Sequence, residues 1–360
     1  MMMSWDDLIL MNQRTQSIEG QDGDYFESYA RLDTHMTKLR DSVCTQAFYD
    51  AIFQNSDLFR DKIVLDVGCG TGLLSLFAAQ AGARRVIAVE CSDMADIAKE
   101  IVQDNEMDEQ VHVVKGLVEQ VELPDGIPQV DIIVSEWMGN AIYMEAMLNS
   151  VLFARDKWLS RRGLILPSIG NLWLVGAQDS HRLANLNFWQ SVEGFDMSCV
   201  RKPISRQPLV DCVALQQLLT DECFIHSTHL GLARNEPVVF RSNFQLTVQR
   251  AGIINVLVLY FDVGFPVGKS EKPVVLSTSP RSPWTHWEQT LLHLDEPLFV
   301  KANDRVRGVL AMMPSGLDGR CMNFDLSISF RGDRTRVESF KSFSSAGSKC
   351  DVRRPNQSGK

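Results

Sequence analysis

The sequence predicts an α/β domain built on a parallel sheet, followed by an antiparallel β domain. Three patterns predict this order. Apolar strand-like runs alternate with helical stretches from residue 62 to about 159, the apolar period becomes two after Pro167, and no solenoid or propeller repeat is visible. We therefore predict one domain over residues 24–166 and a second over residues 167–340.

The first domain contains short β-α-β units with a helix around Met94–Asn105 between two of its strands. The predicted strands are IVLDV, RVIAVE, VHVVKG and VDIIVSE, and LLSLFAAQAG is a helical stretch between the first two. Units of this kind build a Rossmann-like parallel sheet with helices on both faces. Ligands of such folds bind beyond the carboxyl ends of the strands, so we expect the site in the loops that follow them.

In the second half, apolar side chains alternate with polar ones, which is typical of an antiparallel sheet or barrel with one buried face. The alternating positions are Phe244, Leu246 and Val248, and then Met322, Phe324, Leu326, Ile328 and Phe330. An aromatic-rich segment, residues 187–200, interrupts this pattern. We interpret it as an inserted arm that extends over about residues 180–205.

The ends and the composition limit the function classes. Residues 1–23 and 341–360 are polar and lack periodicity, which predicts flexible ends. The net charge of -9 argues against a protein that coats nucleic acid and suits a basic substrate. An acidic N-terminus and the lack of an apolar run of about 20 residues argue against secretion and membrane insertion.

Eight cysteines form no C-x-x-C pair, which predicts reduced thiols in a cytoplasmic or nuclear protein. His226 and His229 could form a metal pair. Because no cysteine cluster lies near them in the sequence, we interpret them as two separate surface or core histidines and expect no metal.

Gly68, Gly70 and Gly72 form a turn between a strand and a helix in VLDVGCGTG. Such a turn lets the backbone approach a ligand closely, although a plain tight turn stays possible. A dinucleotide fingerprint needs its third glycine at Leu73, so the spacing disfavours NAD and FAD. The lack of a following Lys-Ser/Thr pair argues against a triphosphate loop.

Two carboxylates flank this turn in the predicted sheet. Asp66 precedes the glycines, and Glu90 ends the next strand, where a carboxylate can accept hydrogen bonds from both ribose hydroxyls. With strand, helix and Glu90 in register, S-adenosylmethionine is the cofactor that we expect, and methyl transfer is the reaction.

A second pair of carboxylates follows the fourth strand. Glu136 stands at its carboxyl end and Glu145 at the predicted start of a helix, with a loop that folds back at Gly139 between them. Two ionised carboxylates repel each other unless a cation lies between them, and a planar guanidinium fits best. The alternative is that Glu145 is a first-turn helix charge and Glu136 a solvated strand end.

The chain resembles the protein arginine methyltransferases, specifically their type I branch, from about Tyr25 to Gly332. The motifs are YFESY at 25–29, VLDVGCGTG, SEWMGNAIYMEAML at 135–148 and THW at 285–287. The paired-glutamate loop and THW are specific, whereas many methyltransferases share the glycine turn. A DNA amino-methyltransferase is not supported, because SEW stands where an Asn/Asp-Pro-Pro-aromatic tetrad is needed.

The resemblance implies that Glu136 and Glu145 hold the substrate guanidinium and that His286, paired with Asp41, accepts or relays the released proton. Without the resemblance, His286 would be interpreted as a hydrogen-bonded core histidine. The further implied roles are helix closure by Tyr25 and Tyr29, cofactor contacts from His35, Val118 and Glu119, and an active-site lining by Met147 and Trp287. The resemblance also implies a β-barrel second domain and a head-to-tail homodimer through the arm.

This chain departs from the family pattern at four positions. Cys44 stands where an arginine contacts the cofactor's carboxylate, and Lys38 where a methionine lies beside the substrate nitrogen. A neutral thiol cannot replace that arginine. The contact to the cofactor's carboxylate is therefore lost unless Lys38 or Arg40 supplies it. Asn140 and Met144 replace aromatic residues in the glutamate loop.

Two hypotheses stay open. The first is an active enzyme that makes monomethyl- and asymmetric dimethylarginine on histones or Arg/Gly-rich RNA-binding proteins, without nucleic-acid or membrane partners of its own. The second is a weakened relative that binds arginine-rich segments or dimerises with an active paralogue. The retained Glu90, Glu136, Glu145 and His286 favour the first.

Overall fold

The computed structural model describes residues 31–180, 187–269, 272–315 and 320–345. Tyr25, Tyr29, the predicted N-terminal end and part of the predicted arm lie outside these ranges. The chain divides into two compact units. The first is Met1–Leu172 with His226–Pro237 and Tyr260–Glu288, and the second is Trp173–Ile225, Val238–Leu259 and Gln289–Lys360.

This division corrects the predicted boundary at residues 166 and 167, because two later segments return to the first unit. The backbone N–H of Leu230 donates to the carbonyl of Ser168 at 2.9 Å, and the N–H of Ser168 donates to the carbonyl of Gly264 at 2.9 Å. All three residues fall in the predicted second domain, yet they belong to the unit that contains the parallel sheet.

The first unit contains helices and a parallel sheet. Its elements are α1 (Leu32–Arg40), α2 (Ser42–Phe53), α3 (Ser56–Phe59), β1 (Ile63–Val67), α4 (Leu73–Gln80), β2 (Arg85–Glu90), α5 (Met94–Asp104), β3 (Val111–Lys115), β4 (Val130–Val134), α6 (Met147–Trp158) and β5 (Leu159–Leu166). The strand order is β3-β2-β1-β4-β5, and every pair is parallel. The predicted Rossmann-like sheet is confirmed.

The chain order reverses at β1, which lies between β2 and β4. Val64 of β1 is in register with Val86 on one side and with Ile132 on the other. The carboxyl ends of these three strands therefore meet at one edge, and a crevice at such a reversal is where ligands of open α/β sheets bind. The glycine turn, Glu90 and Glu136 all follow these strand ends.

The remaining elements are mainly antiparallel strands. They are β6 (Ile169–Ala177), α7 (Arg201–Ser205), β7 (Leu209–Asp211), β8 (Leu218–His229), β9 (Phe240–Thr247), β10 (Gly252–Gly264), β11 (Val275–Ser277), β12 (Gln289–Val300), β13 (Arg305–Pro314), β14 (Met322–Arg331) and β15 (Arg336–Ser344). One sheet has the order β7-β12-β10-β6-β8 with β11 on β10, and another has β15-β14-β13-β9. The five predicted apolar positions of β14 are all buried, which confirms the alternation.

The predicted tail begins too early. Strand β15 continues to Ser344, and Lys341 Nζ donates to the carbonyl of His293 at 2.8 Å and to Asp295 at 2.6 Å. Phe343 is buried as well. The polar composition of this stretch hid a strand because only alternate residues face the core.

The described part of the predicted arm, residues 187–200, carries exposed apolar side chains. Phe188, Phe195 and Met197 are among the exposed large hydrophobic residues, and Val192 forms an isolated bridge with Phe195. None of the helices in the described ranges is both long enough and apolar enough to span a lipid bilayer.

Candidate active site

The glycine turn brings the backbone into contact with two neighbouring segments. Gly68 has φ 71°, and a Cβ there would lie 2.3 Å from Met147 Cε. Gly70 has φ 54°, and its Cβ would lie 3.0 Å from Cε1 of the buried His35. Because both positions require positive φ and lack room for a side chain, the turn forms a bare backbone surface, which fits a ligand that lies against it.

Glu90 closes the opposite side of this turn. Its Oε2 accepts the N–H of Gly70 at 3.0 Å and its Oε1 accepts the N–H of Ser92 at 2.8 Å. A carboxylate oxygen can accept more than one hydrogen bond, so both oxygens keep capacity for ribose hydroxyls. The role of Ser92 was not predicted, although a serine two residues before a helix is a recognisable cap, and its Oγ accepts the N–H of Met94.

Asp66 supports the turn from beneath and cannot touch a ligand. Its side chain is fully enclosed, and Oδ2 accepts the hydroxyl of Ser75 at 2.6 Å. Burial raises the pKa of Asp66, the Ser75 hydrogen bond opposes this effect, and the resulting pKa is about 7. The predicted direct cofactor contact is therefore wrong, and Ser75 on α4 is the partner that sequence analysis missed.

The two positions after β3 differ in exposure. Val118 is buried, whereas Glu119 is exposed and accepts the hydroxyl of Ser150 on α6 at 2.6 Å. Both stay predicted cofactor contacts.

The loop from Ser135 to Ala146 folds back on itself as predicted. Ser135 Oγ donates to the carbonyl of Val67 at 2.8 Å, which fixes the loop to the end of β1. Gly139 bridges to Ile142, and a Cβ on Gly139 would lie 2.0 Å from the carbonyl oxygen of Met144. The loop is thus a closed hairpin with room only for glycine at this position.

Glu145 lies outside the helix that was predicted to begin with it. Its φ is 77° and that of Ala146 is 58°, so the chain is left-handed at both residues and α6 begins at Met147. This conformation cannot begin an α-helix. The predicted start is corrected by two residues, and the interpretation of Glu145 as a first-turn charge is excluded.

Lys38 of α1 pairs with Glu136 in the pocket. Its Nζ donates to Oε1 of Glu136 at 2.8 Å, and the two side chains are 25% and 19% exposed. Burial lowers the pKa of Lys38, but the charges of Glu136 and Glu145 outweigh it and raise this pKa. Burial also raises the pKa of Glu136, yet Lys38 and His286 bring it down to about 2, so this carboxylate is ionised.

His286 is held by Asp41 and faces Glu136. Oδ2 of Asp41 lies 2.9 Å from His286 Nδ1 and accepts the backbone N–H of the same residue at 2.8 Å. His286 Nε2 is 3.5 Å from Glu136 Oε1, an ion-pair distance too long for a strong hydrogen bond. Burial lowers the pKa of His286, but Asp41 and Glu136 outweigh it and raise this pKa. His286 is hydrogen-bonded and largely enclosed, and its position beside Glu136 adds support to the predicted proton-acceptor role.

Trp287 supports the glutamate loop from behind. It is 4% exposed, its indole N–H donates to the carbonyl of Met138 at 2.8 Å, and its ring centroid is 3.9 Å from that of His286. Trp287 stays a predicted substrate-pocket residue, and the structure adds a supporting role that the sequence did not indicate. Tyr143 braces the same loop through a 2.9 Å hydrogen bond with Thr228.

Cys44 lies next to the pocket on α2 and is buried. Burial, together with the charges of Glu136 and Asp41, raises the pKa of its thiol well above the ordinary value, so the side chain is neutral. Lys38 is engaged with Glu136, and Arg40 is exposed. Compensation for the missing arginine by Lys38 would require it to leave Glu136, and compensation by Arg40 stays a prediction.

Two family models match the chain. One, described as the arginine methyltransferase oligomerization subdomain, matches residues 168–334. The other, described as ribosomal protein L11 methyltransferase, matches residues 34–165. Together they cover the parallel sheet and all the antiparallel strands except β15.

Curated relatives and solved structures match most of the chain. Protein arginine N-methyltransferase 1.1 of Arabidopsis thaliana is 43% identical over 87% of this chain and 80% of its own length. Protein arginine N-methyltransferase 1 of Chlamydomonas reinhardtii is 39% identical over 89% and 92%. The Trypanosoma brucei PRMT1 enzyme-prozyme heterotetrameric complex with AdoHcy contains a chain of TM-score 0.84 and 37% identity, covering 88% of this chain and 99% of that one.

The residues described above fit the cofactor of these relatives on its ribose side. Gly68, Gly70 and Glu90 would hold S-adenosylmethionine, whose sulfonium carries the electrophilic methyl group. On the side of its carboxylate, Cys44 offers no charge. With these relatives and with Glu136, Glu145 and His286 brought into one pocket, the chain belongs to the protein arginine N-methyltransferase family and uses S-adenosylmethionine.

Proposed function

We propose that this chain methylates arginine in basic protein segments and produces monomethyl- and asymmetric dimethylarginine. The observation that supports this most is the pocket in which an ionised Glu136 faces the His286–Asp41 pair and acts together with Glu145 on the charge of Lys38. These groups adjoin the end of β1, where the bare glycine turn begins.

The carboxylates orient the guanidinium and alter its charge distribution. Hydrogen bonds from two guanidinium nitrogens to Glu136 and Glu145 would concentrate positive charge on those atoms and leave the third nitrogen more electron-rich. Holding this nitrogen in line with the methyl group supplies much of the remaining rate. His286, oriented by Asp41, accepts the proton that the attacking nitrogen releases.

Arg/Gly-rich RNA-binding proteins or histones are the proposed substrates, and the cytoplasm and nucleus the proposed compartments. The support is the net charge of -9, which attracts basic segments at a distance. It does not distinguish between these two substrate classes.

We further propose a homodimer through the arm. Phe188 and Phe195 are 56% and 69% exposed, and uncovered aromatic side chains of this size are typical of a protein interface. The match of residues 168–334 to an oligomerization subdomain supports the same conclusion. Sedimentation of the wild type and of F195D tests it: the wild type should sediment as a dimer and the variant as a monomer.

The activity is tested with radiolabelled S-adenosylmethionine and an Arg/Gly-rich peptide, followed by amino-acid analysis of the methylarginine isomers. A peptide with lysine at every arginine position is the matched control. We expect label in monomethyl- and asymmetric dimethylarginine and none in the control. Label in symmetric dimethylarginine would contradict the proposed product.

The second candidate is a weakened relative that acts with an active paralogue. The neutral Cys44 and the Lys38–Glu136 pair favour it. A related complex is described as an enzyme with a prozyme. In the same transfer assay, this candidate predicts no methyl transfer by the chain alone. Calorimetry should still show measurable binding of the arginine peptide.

A further inference from the structure

Lys38 already occupies the pocket proposed for the substrate guanidinium. Its ammonium lies 2.8 Å from Oε1 of Glu136, the same oxygen that His286 Nε2 approaches at 3.5 Å. Glu145 adds to the field that holds the ammonium. An internal cation therefore rests where an external cation must bind.

Lys38 and a substrate arginine compete for the oxygens of the Glu136 carboxylate. A guanidinium is best held when both oxygens of one carboxylate accept from its planar fork, whereas an ammonium is a compact point charge that needs one. While Lys38 engages Oε1, it takes part of the accepting capacity of that oxygen and stands where one arm of the guanidinium fork would bind. The like charge of Lys38 also repels an approaching guanidinium.

The same side chain is able to leave. Lysine has a flexible four-carbon stem, and that of Lys38 is 25% exposed, so rotation toward solvent does not require α1 to unfold. The ammonium is charged in the pocket, where Glu136 and Glu145 raise its pKa, and a lysine ammonium in solvent is also charged at neutral pH.

We propose that Lys38 is a built-in competitor for the substrate arginine: it binds Glu136 in the free enzyme and is displaced when a guanidinium takes both oxygens. This proposal rests on the proposed function. It makes Lys38 a determinant of substrate affinity that favours segments with several arginines, since a high local concentration of guanidinium is needed to displace an intramolecular cation.

Substitution of Lys38 distinguishes a competitor of the substrate arginine from a residue that supports the pocket. In K38M, an uncharged side chain of similar length leaves Glu136 open, so we expect KM for an Arg/Gly-rich peptide to fall about 10- to 100-fold with kcat unchanged. In K38R, an internal guanidinium holds Glu136 more tightly, and KM should rise. K38Q is the second uncharged variant, should K38M fold poorly.

Lys99 provides the matched control. It lies on α5 in an exposed ion pair with Asp96 at 3.7 Å, so K99M removes the same charge outside the pocket. Its KM should stay within about twofold of the wild type.

Calorimetric titration of the peptide into each variant saturated with AdoHcy gives a second readout that needs no turnover. Tighter binding in K38M and weaker binding in K38R support the competitor. Unchanged or weaker peptide binding in both K38M and K38Q, or a lower kcat at normal thermal stability, would overturn it. If neither the wild type nor K38M transfers methyl groups, the proposed function fails, while the binding series still decides the role of Lys38.

Discussion

Asp41 holds His286 at two points with one oxygen atom, although the two residues are 245 positions apart in the chain. Oδ2 lies 2.8 Å from the backbone nitrogen and 2.9 Å from Nδ1 of the imidazole. The other oxygen, Oδ1, accepts the N–H of Cys44 at 2.9 Å and caps α2. The start of a helix thus fixes which ring nitrogen of His286 faces Glu136.

This pairing predicts how activity depends on pH. Because the pKa of His286 is raised, the imidazole is protonated below that value and cannot accept a proton. We expect kcat/KM to rise with pH through a midpoint above about 6.5. The same raised pKa contributes stability that is present below about pH 6.5 and is lost as the pH rises through the folded value.

The D41N variant tests whether Asp41 causes the raised pKa of His286. Loss of the carboxylate charge should lower the midpoint of the kcat/KM profile, and H286Q should remove the inflection. An identical midpoint in the wild type and D41N would show that another group controls the profile.

E136Q should separate transfer from cofactor binding. The amide keeps the shape of the side chain but loses the charge that holds the guanidinium, so kcat/KM should fall on the order of 100-fold or more. Calorimetric affinity for AdoHcy should stay nearly unchanged. E90Q is the contrasting variant, and we expect its main loss in AdoHcy affinity; equal loss of both functions in E136Q would refute the assignment.

C44R should tighten cofactor binding. A charge-assisted hydrogen bond contributes on the order of 1.5 to 3 kcal/mol, so affinity for AdoHcy should rise roughly 10- to 150-fold if the new guanidinium reaches the cofactor's carboxylate. C44S, small and neutral, is the control. Equal affinities of the two variants would mean that another cation already meets this carboxylate.

The buried Asp66 should make stability depend on pH. Its pKa is about 7 in the folded chain and about 3.9 when unfolded, so the folded state binds more protons between these values. The free energy of unfolding should therefore fall by up to about 4 kcal/mol as the pH rises from about 4 to 7. Denaturant titrations should show this slope in the wild type and lose it in D66N; parallel slopes would argue against the raised pKa.

Patterns with a physical period predicted the sheets well. The alternation over β14 matches its buried face residue by residue, and the predicted strands of the first domain are parallel strands of one sheet. These predictions succeeded because the local order of apolar and polar residues in a strand shows whether one or both of its faces are buried.

Tertiary contacts account for what the sequence did not show. Glu145 and Ala146 suit a helix by composition, yet the closed hairpin at Gly139 places both in a left-handed conformation. Lys38 was recognisable as a departure from the family, but its charge alone did not say whether it would face solvent or Glu136. That partner lies 98 positions away, and only the assembled pocket shows the pair.

His286 is also the last member of the pocket to be synthesised. Lys38, Asp41, Glu136 and Glu145 leave the ribosome within the first 145 residues, whereas the segment Tyr260–Glu288 follows more than 100 residues later. A nascent chain can therefore form the cofactor turn well before it gains its proposed proton acceptor. Methyl transfer has to wait until about four fifths of the chain has been made.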